Sequence, residues 1–194
     1  MKFREIEFLM SCGIPKQFPK SDRTEIVFSG KSNVGKSSLL NALTDRKNIA
    51  KVSSSPGKTK TINFFNVEDV YFVDLPGYGY AKVSDSEKIR WADLMENYFA
   101  GDRKIELIVQ ILDYRHRPTK LDYDMLNFME YNNLPYIIIL TKVDKLNATE
   151  LKKRRTEIKN ELENYHPERM IEFSSSNKTG VRELRETICS FTEE

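Results

Sequence analysis

The chain has 194 residues, 39% hydrophobic and 31% charged, with a formal net charge of +2. These values fit one globular domain with short additions and exclude a polycation. Its longest apolar runs, at 107–112 and 136–140, are far too short to cross a bilayer, so no membrane role is expected. Cys12 and Cys189 lie near opposite ends in no metal-ligand spacing, and no secretory signal is evident. A reducing cytoplasm is the expected location, with no disulfide.

In chain order, residues 1–23 form an extension whose structure the pattern leaves open; it is expected to pack on a core of 24–194. Thr24–Ser29 reads as a short buried strand. Residues 30–37, Gly-Lys-Ser-Asn-Val-Gly-Lys-Ser, follow it, and the amphipathic start of a helix comes next. Arg46 to Val67 holds five basic residues and no acid, open to reading as a solvated loop or as a phosphate-facing one. Residues 61–67 and 70–74 read as strands joined by Glu68-Asp69, a hairpin that places one antiparallel strand at the sheet edge. Ser84-Asp85-Ser86-Glu87 marks a helix start. Strands at 105–112, 136–141 and 170–174 then alternate with helices at 119–132, 148–165 and 180–192. This alternation predicts a mostly parallel six-stranded sheet with helices on both faces.

Residues 30–37 complete the pattern G-x-x-x-x-G-K-[ST]. Such a loop wraps backbone N–H groups around phosphates, offers the Lys36 ammonium to the β- and γ-phosphates and presents the Ser37 hydroxyl to Mg²⁺. Asp74, ending an apolar strand, can hold Mg²⁺ through water, and Gly77 three residues on can donate its N–H to a γ-phosphate. A magnesium-binding nucleotide switch needs one more hydroxyl. Thr59 and Thr61 are the candidates, and Thr59 is preferred because Thr61 falls within the predicted strand. Asp144, in Thr141-Lys142-Val143-Asp144, can accept from guanine N1–H and the exocyclic amine, whereas adenine would leave it unpaired. Phe173-Ser174-Ser175 can present backbone N–H groups to guanine O6.

Taken together, GKSNVGKS, PGKTKT, DLPGYGYA, TKVD and SSSNKTG resemble the YihA/EngB-type (YsxC-type) bacterial GTPases, of the Era-like branch of the translation-factor-related GTPases. The resemblance runs from about residue 5 to the C-terminus and extends to Asp113-Tyr114-Arg115-His116-Arg117-Pro118. It implies a Ras-like P-loop GTPase fold, GTP and GDP binding with Mg²⁺, slow hydrolysis, and a role in assembling the large ribosomal subunit, with an association with cell division and septation. Carried over by position, Gly30, Lys31, Ser32, Asn33, Val34, Gly35, Lys36 and Ser37 bind phosphates. Gly57, Lys58, Thr59, Lys60 and Thr61 make the first switch contact. Asp74, Leu75, Pro76 and Gly77 sense the γ-phosphate, while Thr141, Lys142, Val143 and Asp144 join Phe173, Ser174 and Ser175 around the base. Ser37, Thr59 and Asp74 surround the metal; Lys36, Thr59 and Gly77 serve hydrolysis.

Two departures from the wider Ras-like pattern stand out. Thr141 replaces a commoner Asn. Tyr78 occupies the position where a glutamine orients the attacking water, so intrinsic turnover is expected to be slow and accelerated by a partner. Related GTPases with Asn at the Asn33 position bind K⁺ beside the phosphates, which suggests K⁺-stimulated hydrolysis. The expected partner is the large ribosomal subunit or its precursor, met by a monomer. Arg115-His116-Arg117 reads equally as an RNA-contact patch or a solvated turn. The run 152–155 reads as an exposed, ion-paired helix face. Two rivals remain: a nucleotide-gated adaptor with negligible hydrolysis, and a P-loop ATPase or kinase, against which Asp144 argues.

Overall fold

The computed structural model describes residues 1–49, 61–79 and 84–192. Its strands are β1 (Glu7–Cys12), β2 (Thr24–Gly30), β3 (Ile62–Val67), β4 (Val70–Asp74), β5 (Ile105–Asp113), β6 (Tyr136–Thr141) and β7 (Arg169–Phe173). The helices are α1 (Lys36–Thr44), α2 (Asp85–Ala100), α3 (Lys120–Tyr131), α4 (Ala148–Glu161) and α5 (Val181–Ser190). All seven strands join one sheet in the order β1-β3-β4-β2-β5-β6-β7.

The apolar runs decide the layering. Along β5, Leu107, Val109 and Ile111 point into one core and Ile108 and Leu112 into the other; β6 splits Ile137 and Ile139 from Ile138 and Leu140 in the same way. A strand buried on both faces cannot alternate apolar with polar, so the sequence reads as a continuous apolar run. The first core takes Leu39, Leu40 and Leu43 of α1 and Leu184 and Ile188 of α5. The second takes Leu94 and Tyr98 of α2, Leu126 and Met129 of α3, and Ile158 of α4. Helices thus cover both faces, as the alternation predicts.

The sheet has one strand more than predicted. β1, from the extension, pairs antiparallel with β3 from Glu7↔Asn66 to Cys12↔Ile62. β3 pairs antiparallel with β4 as the hairpin predicts, yet β1 covers its outer side, so β3 is second from the edge. Phe3 and Ile6 ahead of β1 are buried against α1 and α5, while Cys12 enters the opposite core. Burial of this kind contributes about 1.5–3 kcal/mol per large apolar side chain. Cys12 and Cys189 are both free.

β2 has β4 on one side and β5 on the other, both parallel to it. The chain therefore leaves β2 first one way and later the other. Such a reversal opens a crevice at the carboxyl ends of the strands, where ligands bind in open α/β sheets.

Candidate nucleotide site at the strand ends

Four of the predicted loops meet at that crevice. The loop after β2 turns through Asn33 at φ 64° and Gly35 at φ 110° before α1 begins at Lys36. Gly35 suits a backbone angle that a side chain would strain. Ser37, on the first turn of α1, is exposed.

The loop after β4 lies directly on this turn. The Ser32 N–H donates to Tyr78 O at 2.8 Å, and the Tyr78 N–H donates to Gly30 O at 3.4 Å. Gly77 is where the two backbones touch: a Cβ there would lie 3.1 Å from Ser32 Cα. Leu75 is buried and Pro76 half-buried. The Lys36 ammonium donates to Asp74 Oδ1 in a pair with side chains 12% and 2% exposed, so the two charges neutralise each other in a nearly dry site. Asp74 Oδ2 accepts from Asn63 Nδ2 at 3.3 Å. Thr61 lies just ahead of β3, not in it, and its hydroxyl donates to Asn63 Oδ1 at 3.0 Å. Asn63 thus links Thr61 to Asp74, a contact the sequence reading missed. Gly57, Lys58, Thr59 and Lys60 lie outside the described residues.

The loop after β6 supports the turn from the other side. Thr141 Oγ1 donates to Val34 O at 2.7 Å, and Lys142, at φ 65°, donates to Asn33 O at 3.0 Å. Val143 is buried among the second core. Lys142 also donates to Asp113 Oδ2 at 2.8 Å. Burial alone would raise the Asp113 carboxyl; hydrogen bonds from Arg115 and Lys142 outweigh it and hold the group well below the usual carboxylate range. Asp113 was not among the predicted site residues. Its signal was available, since it ends the strand next to the one carrying 141–144. Arg115, read equally as part of an RNA-contact patch or of a solvated turn, is engaged with the same carboxylate at 2.8 Å.

Asp144 meets the loop after β7. A hydrogen bond from the Ser174 hydroxyl, opposed by burial and aided by Lys145, lowers its carboxyl to about 2. Phe173 and Ser174 are buried, Ser175 exposed. Ser174 Oγ also accepts from the Ser176 N–H at 3.2 Å, which fixes the turn. The candidate base-binding carboxylate is therefore ionised at neutral pH.

Tyr78 differs most from expectation. Its ring is 6% exposed and turns inward. Its hydroxyl donates to Asp122 Oδ1 on α3 at 2.7 Å and accepts from Gln110 Nε2 on β5 at 2.7 Å. Burial, then the Asp122 charge, pushes its pKa far up, so it stays a neutral phenol. Asp122 Oδ2 meanwhile caps α3 by accepting the Thr119 N–H at 2.7 Å. Within the run 152–155, Lys152, Lys153 and Arg155 are exposed as expected, but Arg154 is buried and donates to Tyr114 O at 2.8 Å and His116 O at 2.9 Å, holding the 113–117 turn.

A phosphate-loop turn between β2 and α1, a strand-end aspartate beside it and a second aspartate two strands away define a GTPase of the P-loop class. The profile of the 50S ribosome-binding GTPase family matches residues 25–142. Among curated relatives, a probable GTP-binding protein EngB of Clostridium kluyveri is 46% identical over 185 residues, 95% of this chain and 94% of that protein. One of the same description from Ligilactobacillus salivarius is 41% identical over 193 residues, 99% of this chain and 98% of that protein. The chain belongs to the EngB family of GTP-binding proteins. A crystal structure of a probable GTP-binding protein engB shares the fold with a TM-score of 0.72 at 22% identity, over 87% of this chain and 98% of that one.

Proposed function

We propose that this protein binds GTP and GDP with Mg²⁺ at the strand-end crevice. It hydrolyses GTP slowly alone and faster on a partner, and acts as a cytoplasmic monomer in assembly of the large ribosomal subunit. Its family resemblance extends the reading to cell division and septation. One observation carries the nucleotide part: the 30–37 turn is bonded to the loops after β4 and β6, through Lys36 to Asp74, Ser32 to Tyr78, and Val34 and Asn33 to Thr141 and Lys142.

In this reading the backbone N–H groups of Asn33, Gly35, Lys36 and Ser37 hold the phosphates. Lys36 leaves Asp74 for the β/γ oxygens, and the Gly77 N–H reaches the γ-phosphate. Lys142 keeps the turn in shape while Asp144 selects guanine. The donor set fits a hard cation, with an exposed Ser37 hydroxyl at the helix start and a buried Asp74 carboxylate whose present partner is a cation. Ser37 and Asp74 would hold Mg²⁺ together with Thr59. Bound Mg²⁺ supplies charge neutralisation for phosphoryl transfer to water. K⁺ held beside Asn33 would add to it.

A second reading, a nucleotide-gated adaptor with negligible turnover, is favoured by Tyr78. With its hydroxyl bound to Asp122 and Gln110, that position offers no group to orient water. The test is sedimentation with purified large ribosomal subunits in GDP or a non-hydrolysable GTP analogue, followed by single-turnover hydrolysis with and without subunits in KCl and NaCl. Co-sedimentation is expected with the analogue only, and hydrolysis is expected to accelerate on the subunit and in KCl. Equal sedimentation in both nucleotides removes the ribosomal role, absent acceleration favours the adaptor, and equal rates in the two salts remove K⁺.

A further inference from the structure

Beside the nucleotide crevice, a groove of about 500 Å³ runs between α2 and α3. Trp91, Met95 and Phe99 line it from α2, and Leu121, Met125 and Phe128 from α3. Leu121, at the groove wall, is 43% exposed. The charged residues lining the groove are Glu96 and Asp124, both acidic and both exposed. The flanking helices continue the trend. Outside the buried Asp122 they carry six acids (Asp85, Glu87, Asp93, Glu96, Asp124, Glu130) against three bases (Lys88, Arg90, Lys120). The chain as a whole is +2, so these two helices run against the molecule's own charge.

We propose that this groove docks an amphipathic, lysine- and arginine-rich helix of a ribosomal protein. The inference rests on the ribosome-binding reading and names the surface and the partner class. An apolar floor of this size takes the i, i+4, i+7 anchors of one helix face, and an acidic rim pairs with basic residues flanking such a stripe. RNA is disfavoured by the same features, because phosphates meet carboxylates at the rim and find no cation on the floor. Docking reaches the nucleotide loop directly. Pro76 and Tyr78 form part of the groove, Trp91 Nε1 donates to Pro76 O at 3.4 Å, and the Tyr78 backbone is bonded to Ser32. A helix that favours one arrangement of 75–79 therefore shifts nucleotide preference, and the nucleotide shifts helix affinity by the same factor.

The experiment uses the full chain with p-benzoylphenylalanine in place of Leu121, bound to purified large ribosomal subunits in a GTP analogue and irradiated. A cross-link to a ribosomal protein, at a segment with apolar residues at helical spacing among Lys and Arg, is expected. A cross-link to rRNA or to a second copy of the chain, or none outside the chain although it co-sediments, overturns the proposal. In parallel, the double variant Glu96→Lys, Asp124→Lys is expected to lower subunit affinity at least tenfold with GDP affinity and thermal midpoint unchanged. Undiminished sedimentation of that variant beside a sedimenting wild type overturns this inference alone. A wild type that does not sediment overturns the ribosomal reading and the docking surface with it.

Discussion

Tyr78 shows how a substitution at a catalytic position can change the job of the residue. At the site where a glutamine faces water in Ras-like enzymes, the phenol is instead part of the interior, joined to Asp122 and Gln110. Its backbone still clasps the phosphate turn through Ser32 and Gly30. The side chain therefore anchors the loop that carries Gly77 to α3 and β5. Tyr78→Phe keeps the ring and removes the hydroxyl, leaving Asp122 Oδ1 and Gln110 Nε2 without that partner, next to a Gln110 Oε1 that is already buried and unbonded. An orphaned buried polar group costs about 1–3 kcal/mol. Urea unfolding of Tyr78→Phe is expected to show a loss of that size, while single-turnover hydrolysis is expected to stay within about threefold, since the hydroxyl bonds Asp122 and Gln110 rather than the phosphate turn. A hundredfold fall in rate with unchanged stability would place the phenol in the reaction.

At the level of elements, the long apolar strands and the phosphate turn were legible because local rules decide them. β5 and β6 announce burial on both faces through unbroken apolar runs, and the β3–β4 hairpin is marked by its two-residue turn. β1 was not legible. Its burial runs exposed, exposed, half-buried, half-buried, exposed, buried, and its register slips between Phe8 and Met10, so no period of two survives. Arg154 was hidden for the opposite reason: a run of four bases looks solvated, and only the packing of α4 on the 113–117 turn shows one of them buried. Asp113, likewise, is explained by a partner 29 residues away in sequence, Lys142. A third long-range tie holds the far end of β2. Glu25, fully buried, accepts from Arg103 Nε at 2.9 Å and from the Tyr98 hydroxyl at 2.6 Å, with the guanidinium packed over the Phe64 and Tyr98 rings. Removing one member of a buried pair strands the other charge, at about 3–5 kcal/mol. Arg103→Met is expected to lose stability on that scale by urea unfolding, and Glu25→Gln combined with it to recover part of the loss. Additive losses in the double variant would mean that the pair is not coupled.

For the whole molecule, the charges at the crevice balance one another within the protein, and nucleotide binding is expected to disturb that balance. Lys36 and Asp74 satisfy each other in a nearly dry crevice. A nucleotide that draws Lys36 onto its phosphates leaves the Asp74 carboxylate buried beside new negative charge, unless a divalent cation arrives with it. Binding should therefore be strongly linked to Mg²⁺, and the linkage should appear in global stability, because a ligand bound only to the folded state stabilises it by RT ln(1 + [L]/Kd), about 2.7 kcal/mol at a hundredfold excess over Kd. For a domain of this size that is roughly a 5–10 °C rise in Tm. Thermal unfolding in GDP with Mg²⁺ is expected to show such a shift, and GDP with EDTA at the same concentration only a small part of it. Asp74→Asn removes the charge that demands the cation, so its GDP-induced shift should differ less between the two conditions. Equal shifts for the wild type with Mg²⁺ and with EDTA would show that Asp74 is satisfied without a metal, and that the Lys36 pair survives nucleotide binding.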